Sequence, residues 1–115
     1  MRALEMTTES PMILTVFRSR LNDEASEEYA GLAPRISELA RSMPGYRSHK
    51  VFVAEDGERV TIVEFEDEES QRNWSVNGEH VAAKQRGRQR LYAEYSLQVC
   101  SVLRESRYAA RRTGR

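Results

Sequence analysis

The chain contains one cysteine, Cys100, so it can form no intrachain disulfide. A thiol set in an apolar strand pattern is expected to be buried, and a reducing cytoplasm is its natural setting. No apolar run approaches the ~20 residues that a membrane span requires, and no apolar stretch follows Met1 and Arg2 as a secretory leader would need. The expectation is a cytoplasmic protein without membrane attachment. Net charge is also lacking: 18 basic residues balance 18 acidic ones, so no overall field draws the protein to nucleic acid or an anionic surface. Two histidines and one cysteine, far apart, give no metal-ligand spacing, and no metal is expected. The six glycines form neither GxGxxG nor a phosphate-binding loop.

What remains is a chain of 115 residues with 39% apolar and 31% charged side chains and a mean hydropathy of -0.70, consistent with one domain. Residues 1–11 are polar and irregular and read as a disordered leader. Residues 106–115 carry four arginines and read as a basic flexible tail. The folded unit is expected over 12–105. Acidic residues gather from Glu64 to Glu69, and Lys84, Arg86, Arg88 and Arg90 make a basic stretch that reads as a solvated helix face.

Within that unit, the β-branched and aromatic run Ile13 to Leu21 predicts a strand. Asn22 and Asp23 offer a helix cap, and Ala25, Tyr29, Leu32, Ile36, Leu39 and Met43 then recur at helical spacing until Pro44 and Gly45. Pro34 inside this pattern predicts a kink or a break. Tyr46 to Glu55 and Glu58 to Glu66 flank Asp56-Gly57, a pair suited to a tight hairpin. Asp67 is a cap for the next helix, Asn77-Gly78 interrupts it, and a second helical run follows from about Glu79 to Leu91. Tyr95 to Leu103 alternates as a last strand. The order strand, helix, strand, strand, helix, strand predicts an α+β, ferredoxin-like protomer: a four-stranded antiparallel sheet with its helices on one face.

Such a sheet should alternate apolar and polar residues, yet Leu14, Val16, Phe17, Val51, Phe52, Val53, Ile62 and Val63 put apolar side chains on both faces. Burial of each is worth ~1.5–3 kcal/mol, so the second face needs a cover. The expected cover is the same sheet of a second copy, giving a dimeric α+β barrel.

The opening strand MILTVFRSRL, the Pro44-Gly45-Tyr46 exit from the first helix, the run EFEDEESQRNW from Glu64 to Trp74 and the segment GEHVAAKQRGRQRLYAEY together resemble the antibiotic biosynthesis monooxygenase family, over Met12 to about Glu105. The resemblance implies a homodimeric barrel that uses molecular oxygen, with neither metal nor flavin as cofactor, to oxidise a small aromatic or quinol-like substrate between sheet and helices. A substrate of that kind is deprotonated to an electron-rich anion that reduces oxygen itself.

Trp74 to Tyr95 supplies the residues for such a site. His80 is the candidate catalytic base, because imidazole titrates near neutral pH. Trp74, Tyr92 and Tyr95, with Ser19 from the first strand, are the candidate substrate-binding residues, since pockets for small ligands are mostly apolar with a few polar groups. Arg18 and Arg20 flank Ser19, and His49 is expected on a solvated face. An RNA-recognition module is disfavoured because its third strand would need basic and aromatic residues where this one reads VTIVEFE. Two other functions fit the resemblance: a haem-binding or haem-degrading barrel, with Ser19 where related barrels place asparagine and Trp74 and His80 on the helical side, or a non-catalytic barrel for small ligands.

Overall fold

A computed structural model of the chain describes residues 11–110. The leader expected over 1–11 falls, apart from Pro11, outside the described residues, as does the end of the tail, 111–115. Four strands form one sheet: β1 (Ile13–Leu21), β2 (Tyr46–Val53), β3 (Arg59–Phe65) and β4 (Tyr92–Ser101), in the order β2-β3-β1-β4. All neighbours are antiparallel. The helices are α1 (Ser26–Arg41), α2 (Glu68–Ser75) and α3 (Gly78–Arg86), and a π-helical turn, Gly87–Leu91, joins α3 to β4. This is the ferredoxin-like arrangement that the order of elements predicts.

Register assigns the faces. Ile13, Thr15, Phe17 and Ser19 of β1 lie opposite Phe65, Val63, Thr61 and Arg59 of β3, and this set faces the helices. Phe65 is fully buried, and Ile13, Val63, Ala40 and Trp74 surround it with Ile36, Leu39, Met43 and Tyr46 packed behind. A second buried group, Leu91 and Ala25 with Ser19, lies at the other end of β1. The opposite face presents Leu14, Val16, Val60, Ile62 and Phe52, of which Phe52 is 49% exposed in the single chain.

Local chemistry explains most boundaries. Gly57 supplies the positive φ, +92°, that the β2-β3 hairpin needs. Asp67 caps α2, its carboxylate accepting from the Ser70 amide at 2.9 Å; the Ser70 side chain first, and this amide second, hold its carboxyl below the usual range. Asn77 caps α3 in the same way, its Oδ1 accepting from the His80 amide at 3.0 Å.

Four expectations need correction. The first helix starts at Ser26 behind Ala25, which has no capping side chain. Asn22 is drawn instead to the π-turn: its amide donates to the Leu91 carbonyl at 2.7 Å and its side chain to that of Arg90 at 3.1 Å. Of the kink or break expected at Pro34, the break does not occur: α1 runs unbroken from Ser26 to Arg41. It lies on the exposed side with Ala30, so water can reach the carbonyl that proline leaves without a donor. Cys100 is exposed rather than buried: it lies on the edge strand β4, paired with Leu14 on the uncovered face, and along this strand Val99 on the other face is exposed as well. The last strand begins at Tyr92, three residues earlier than expected.

Candidate functional site

The five candidate residues fall into two groups. Trp74, near the end of α2, is buried against the Phe65 cluster. His80, in the first turn of α3, stacks on it with ring centroids 3.8 Å apart and planes 12° from parallel. The short Val76-Asn77 link folds α3 back, so that a residue six positions further on covers the indole.

The imidazole has a defined state. Its Nδ1 lies 3.0 Å from the Trp74 carbonyl oxygen, which can only accept, so Nδ1 carries the proton. Nε2 makes no hydrogen bond among the described residues and is left with its lone pair. Burial lowers the His80 pKa from its ordinary value, the Trp74 carbonyl partly opposes this, and the Lys84 charge reinforces it. His80 is therefore a neutral base at physiological pH.

Ser19, Tyr92 and Tyr95 belong to the second group. Tyr95 pairs with Ser19 in the sheet register, and Ser19 is buried. Phe17 joins Tyr92 and Tyr95, with both centroid separations 5.4 Å, and the two tyrosines are 5.7 Å apart. Tyr29 of α1 closes the cluster at 6.4 Å from Tyr92. Burial pushes the Tyr92 phenol up to about 12, with Tyr29 adding to the effect. Gly87 makes the packing possible, since a Cβ there would lie 2.5 Å from the Tyr92 ring. Arg88 donates from Nε to the Tyr95 hydroxyl at 3.0 Å.

The indole belongs to the Phe65 cluster and the tyrosines gather at Ser19; α3 joins the two groups, because His80, stacked on the indole, and Gly87, which lies against the Tyr92 ring, are seven residues apart, about 10 Å at the helical rise. Two open concavities of about 400 Å³ each lie at the Asn22-Asp23 turn, and neither is lined by any of the five candidates. His49 is half-buried rather than solvated: its Nδ1 is 2.7 Å from the Tyr46 hydroxyl, and burial lowers its pKa. Arg18 and Arg20 point away from the helices and pair with Glu58, and with Asp56 and Glu94. Phe17, Tyr29 and Arg59 stand beside the candidate tyrosines although the sequence does not mark them as site residues. Phe17 and Tyr29 carry a signal, as aromatics in the apolar patterns of β1 and α1; Arg59 carries none.

The profile of the family described as antibiotic biosynthesis monooxygenase matches residues 12–86, more than half of the chain. The chain belongs to the antibiotic biosynthesis monooxygenase family. The uncharacterized protein YqjZ of Bacillus subtilis is 30% identical over 102 residues, 89% of each chain. Among solved structures, the fold is shared with SnoaB, a cofactor-independent oxygenase from Streptomyces nogalater, at TM-score 0.71 and 15% identity over 84% of this chain and 97% of that one. It is shared equally with Rv0793 from Mycobacterium tuberculosis, at TM-score 0.74 and 15% identity over 84% of this chain and 99% of that one. In this family member no helix among the described residues is long and apolar enough to cross a membrane.

Proposed function

We propose that the protein is a cofactor-independent monooxygenase that oxidises a small aromatic or quinol-like substrate with molecular oxygen, and that His80 is its proton acceptor. The observation that carries this reading is the state of His80: a partly buried, neutral imidazole whose Nδ1 is fixed by a carbonyl and whose Nε2 is free. A general base needs a lone pair held in place and a pKa that keeps it unprotonated at working pH. Family membership supplies the reaction class, and SnoaB is described as an oxygenase of this kind.

For a substrate with an acidic ring methylene, His80 Nε2 takes one proton and the carbanion passes an electron to oxygen. Recombination forms a carbon–oxygen bond as a hydroperoxide. Loss of water breaks the O–O bond and leaves a ketone. One oxygen atom ends in the product and the other in water, with both methylene hydrogens. The Trp74 ring shields the base from solvent, and the Phe17, Tyr29, Tyr92 and Tyr95 rings offer faces for an aromatic substrate.

The working unit in this proposal is a homodimer. Leu14, Val16, Val60, Ile62 and Phe52 form an apolar strip rimmed by the Arg18–Glu58 and Arg20–Asp56 pairs, the pattern of an interface core with a polar border. The haem alternative has less support, because Ser19 lies with the tyrosines and not with Trp74 and His80. An oxygen electrode with a panel of anthrones, naphthols and dihydroquinones tests the reading. Oxygen consumption by metal-free protein is expected with at least one of them. Thermal stabilisation by a ligand without oxygen uptake would identify the non-catalytic binder instead.

A further inference from the structure

Strand β3 brings to the aromatic cluster a charge that the proposed chemistry does not use. Arg59 sits on the helix-facing side, opposite Ser19, with its guanidinium carbon 5.0 Å from the centre of the Tyr29 ring. Neighbouring arginines are engaged: Arg18 with Glu58, Arg20 with Asp56 and Glu94, and Arg86 and Arg90 with Glu28. Arg59 has no carboxylate partner and donates no side-chain hydrogen bond among the described residues, although it is half-buried.

Arg59 also lines an open concavity of about 400 Å³ at this end of the sheet, with Arg20, Leu21, Asp23, Ser26 and Asp56; no aromatic side chain lines it, and the aromatic cluster borders it through Tyr29, over whose ring the Arg59 guanidinium lies. Asp56 is taken up by Arg20. A guanidinium stacked on a ring keeps its N–H edge for a ligand, and that edge matches the two oxygens of a carboxylate. Asp23, which makes no ion pair among the described residues, opposes anions at this mouth. An inorganic anion therefore gains little, whereas a ligand that also lays a ring on the aromatic wall gains from both features.

We propose that Arg59 anchors a carboxylate and that the site selects aromatic carboxylates over neutral aromatics. This rests on the reading of the cluster as a substrate-binding wall. Calorimetric titration of the full chain with 2-naphthoate, 2-naphthalenemethanol and acetate tests it. We expect 2-naphthoate to bind about tenfold or more tighter than the alcohol, the size of a charge-assisted pair, and acetate not to bind. Arg59→Gln should erase that preference while leaving the alcohol unchanged, and Asp23→Asn should tighten 2-naphthoate. Equal affinities in the wild type, no binding of either naphthalene at millimolar concentration, or a preference that survives Arg59→Gln would overturn the proposal. Should Arg59→Gln fail to fold, the Arg59 Nε–H resonance of the wild type decides: a shift on adding 2-naphthoate is expected, and no shift overturns it. Oxygen uptake with neutral quinols does not depend on the preference, so this proposal and the monooxygenase reading fail separately.

Discussion

Replacing Trp74 by leucine perturbs stability and chemistry through one contact. Trp74 is 6% exposed, and its indole lies against both the Phe65 cluster and the His80 ring. Truncating a buried tryptophan to alanine costs ~3–5 kcal/mol, and leucine keeps part of that volume, so about 2–3 kcal/mol of packing is at risk. Loss of the ring pair adds ~0.5–1.5 kcal/mol. The sum, roughly 2.5–4.5 kcal/mol, is a large share of the stability of a domain this size and should move the urea midpoint well outside error. The second effect is on His80, whose pKa is lowered chiefly by burial. Without the indole its pKa should rise toward the ordinary value, read from the imidazole carbon-bound protons by NMR.

The sign for stability follows. The folded pKa lies below the unfolded one, so as pH falls through about 6.5 the unfolded chain binds the proton first. The His80 contribution is thus present above that pH and is lost on acidification toward the folded pKa. Trp74→Leu should shrink this acid sensitivity while lowering stability throughout. A loss below 1 kcal/mol together with an unchanged His80 titration would refute the view that the indole both supports the core and desolvates the base.

Other predictions use separate contacts. Asn77→Ala removes the cap of α3 and should cost about 1 kcal/mol in denaturant titration, with lower activity because His80 sits in that first turn. Gly87→Ala should cost about 1–3 kcal/mol by forcing the Tyr92 ring aside, detectable as altered tyrosine ring shifts. Phe52→Asp on the uncovered face should convert a dimer to a monomer in light scattering, and an unchanged mass would count against pairing through that face.

Much of the fold was legible because its punctuation is local. Asp56-Gly57, Asp67 and Asn77-Gly78 act through side chains and backbone within a few residues, and each stands where the sequence puts it. Asn22 misled because its partners, Leu91 and Arg90, are distant in sequence, and tertiary hydrogen bonds outweighed its use as a cap. The sequence predicts helix through the π-turn at Gly87–Leu91, since apolar spacing does not register one extra residue per turn. Hydrophobicity alone puts Cys100 in the interior, whereas the face it takes depends on register with β1 and its exposure on the edge position of β4. Arg59 gives no sequence signal for a similar reason: a charged residue at a strand start reads as solvent-facing until its partner strand and Tyr29 are in place. The stacked pair of Trp74 and His80 was legible only as two candidates on neighbouring helices.

The most direct test of the account is oxygen consumption by metal-stripped wild type and His80→Gln as a function of pH, with a substrate that the wild type turns over. The account predicts that wild-type turnover persists down through pH 6.5, where an ordinary histidine would be half protonated, and falls only on further acidification. It predicts that His80→Gln, while folded, is slower by about a hundredfold or more and lacks that acid limb. Equal rates and superimposable pH profiles for the two proteins would contradict it.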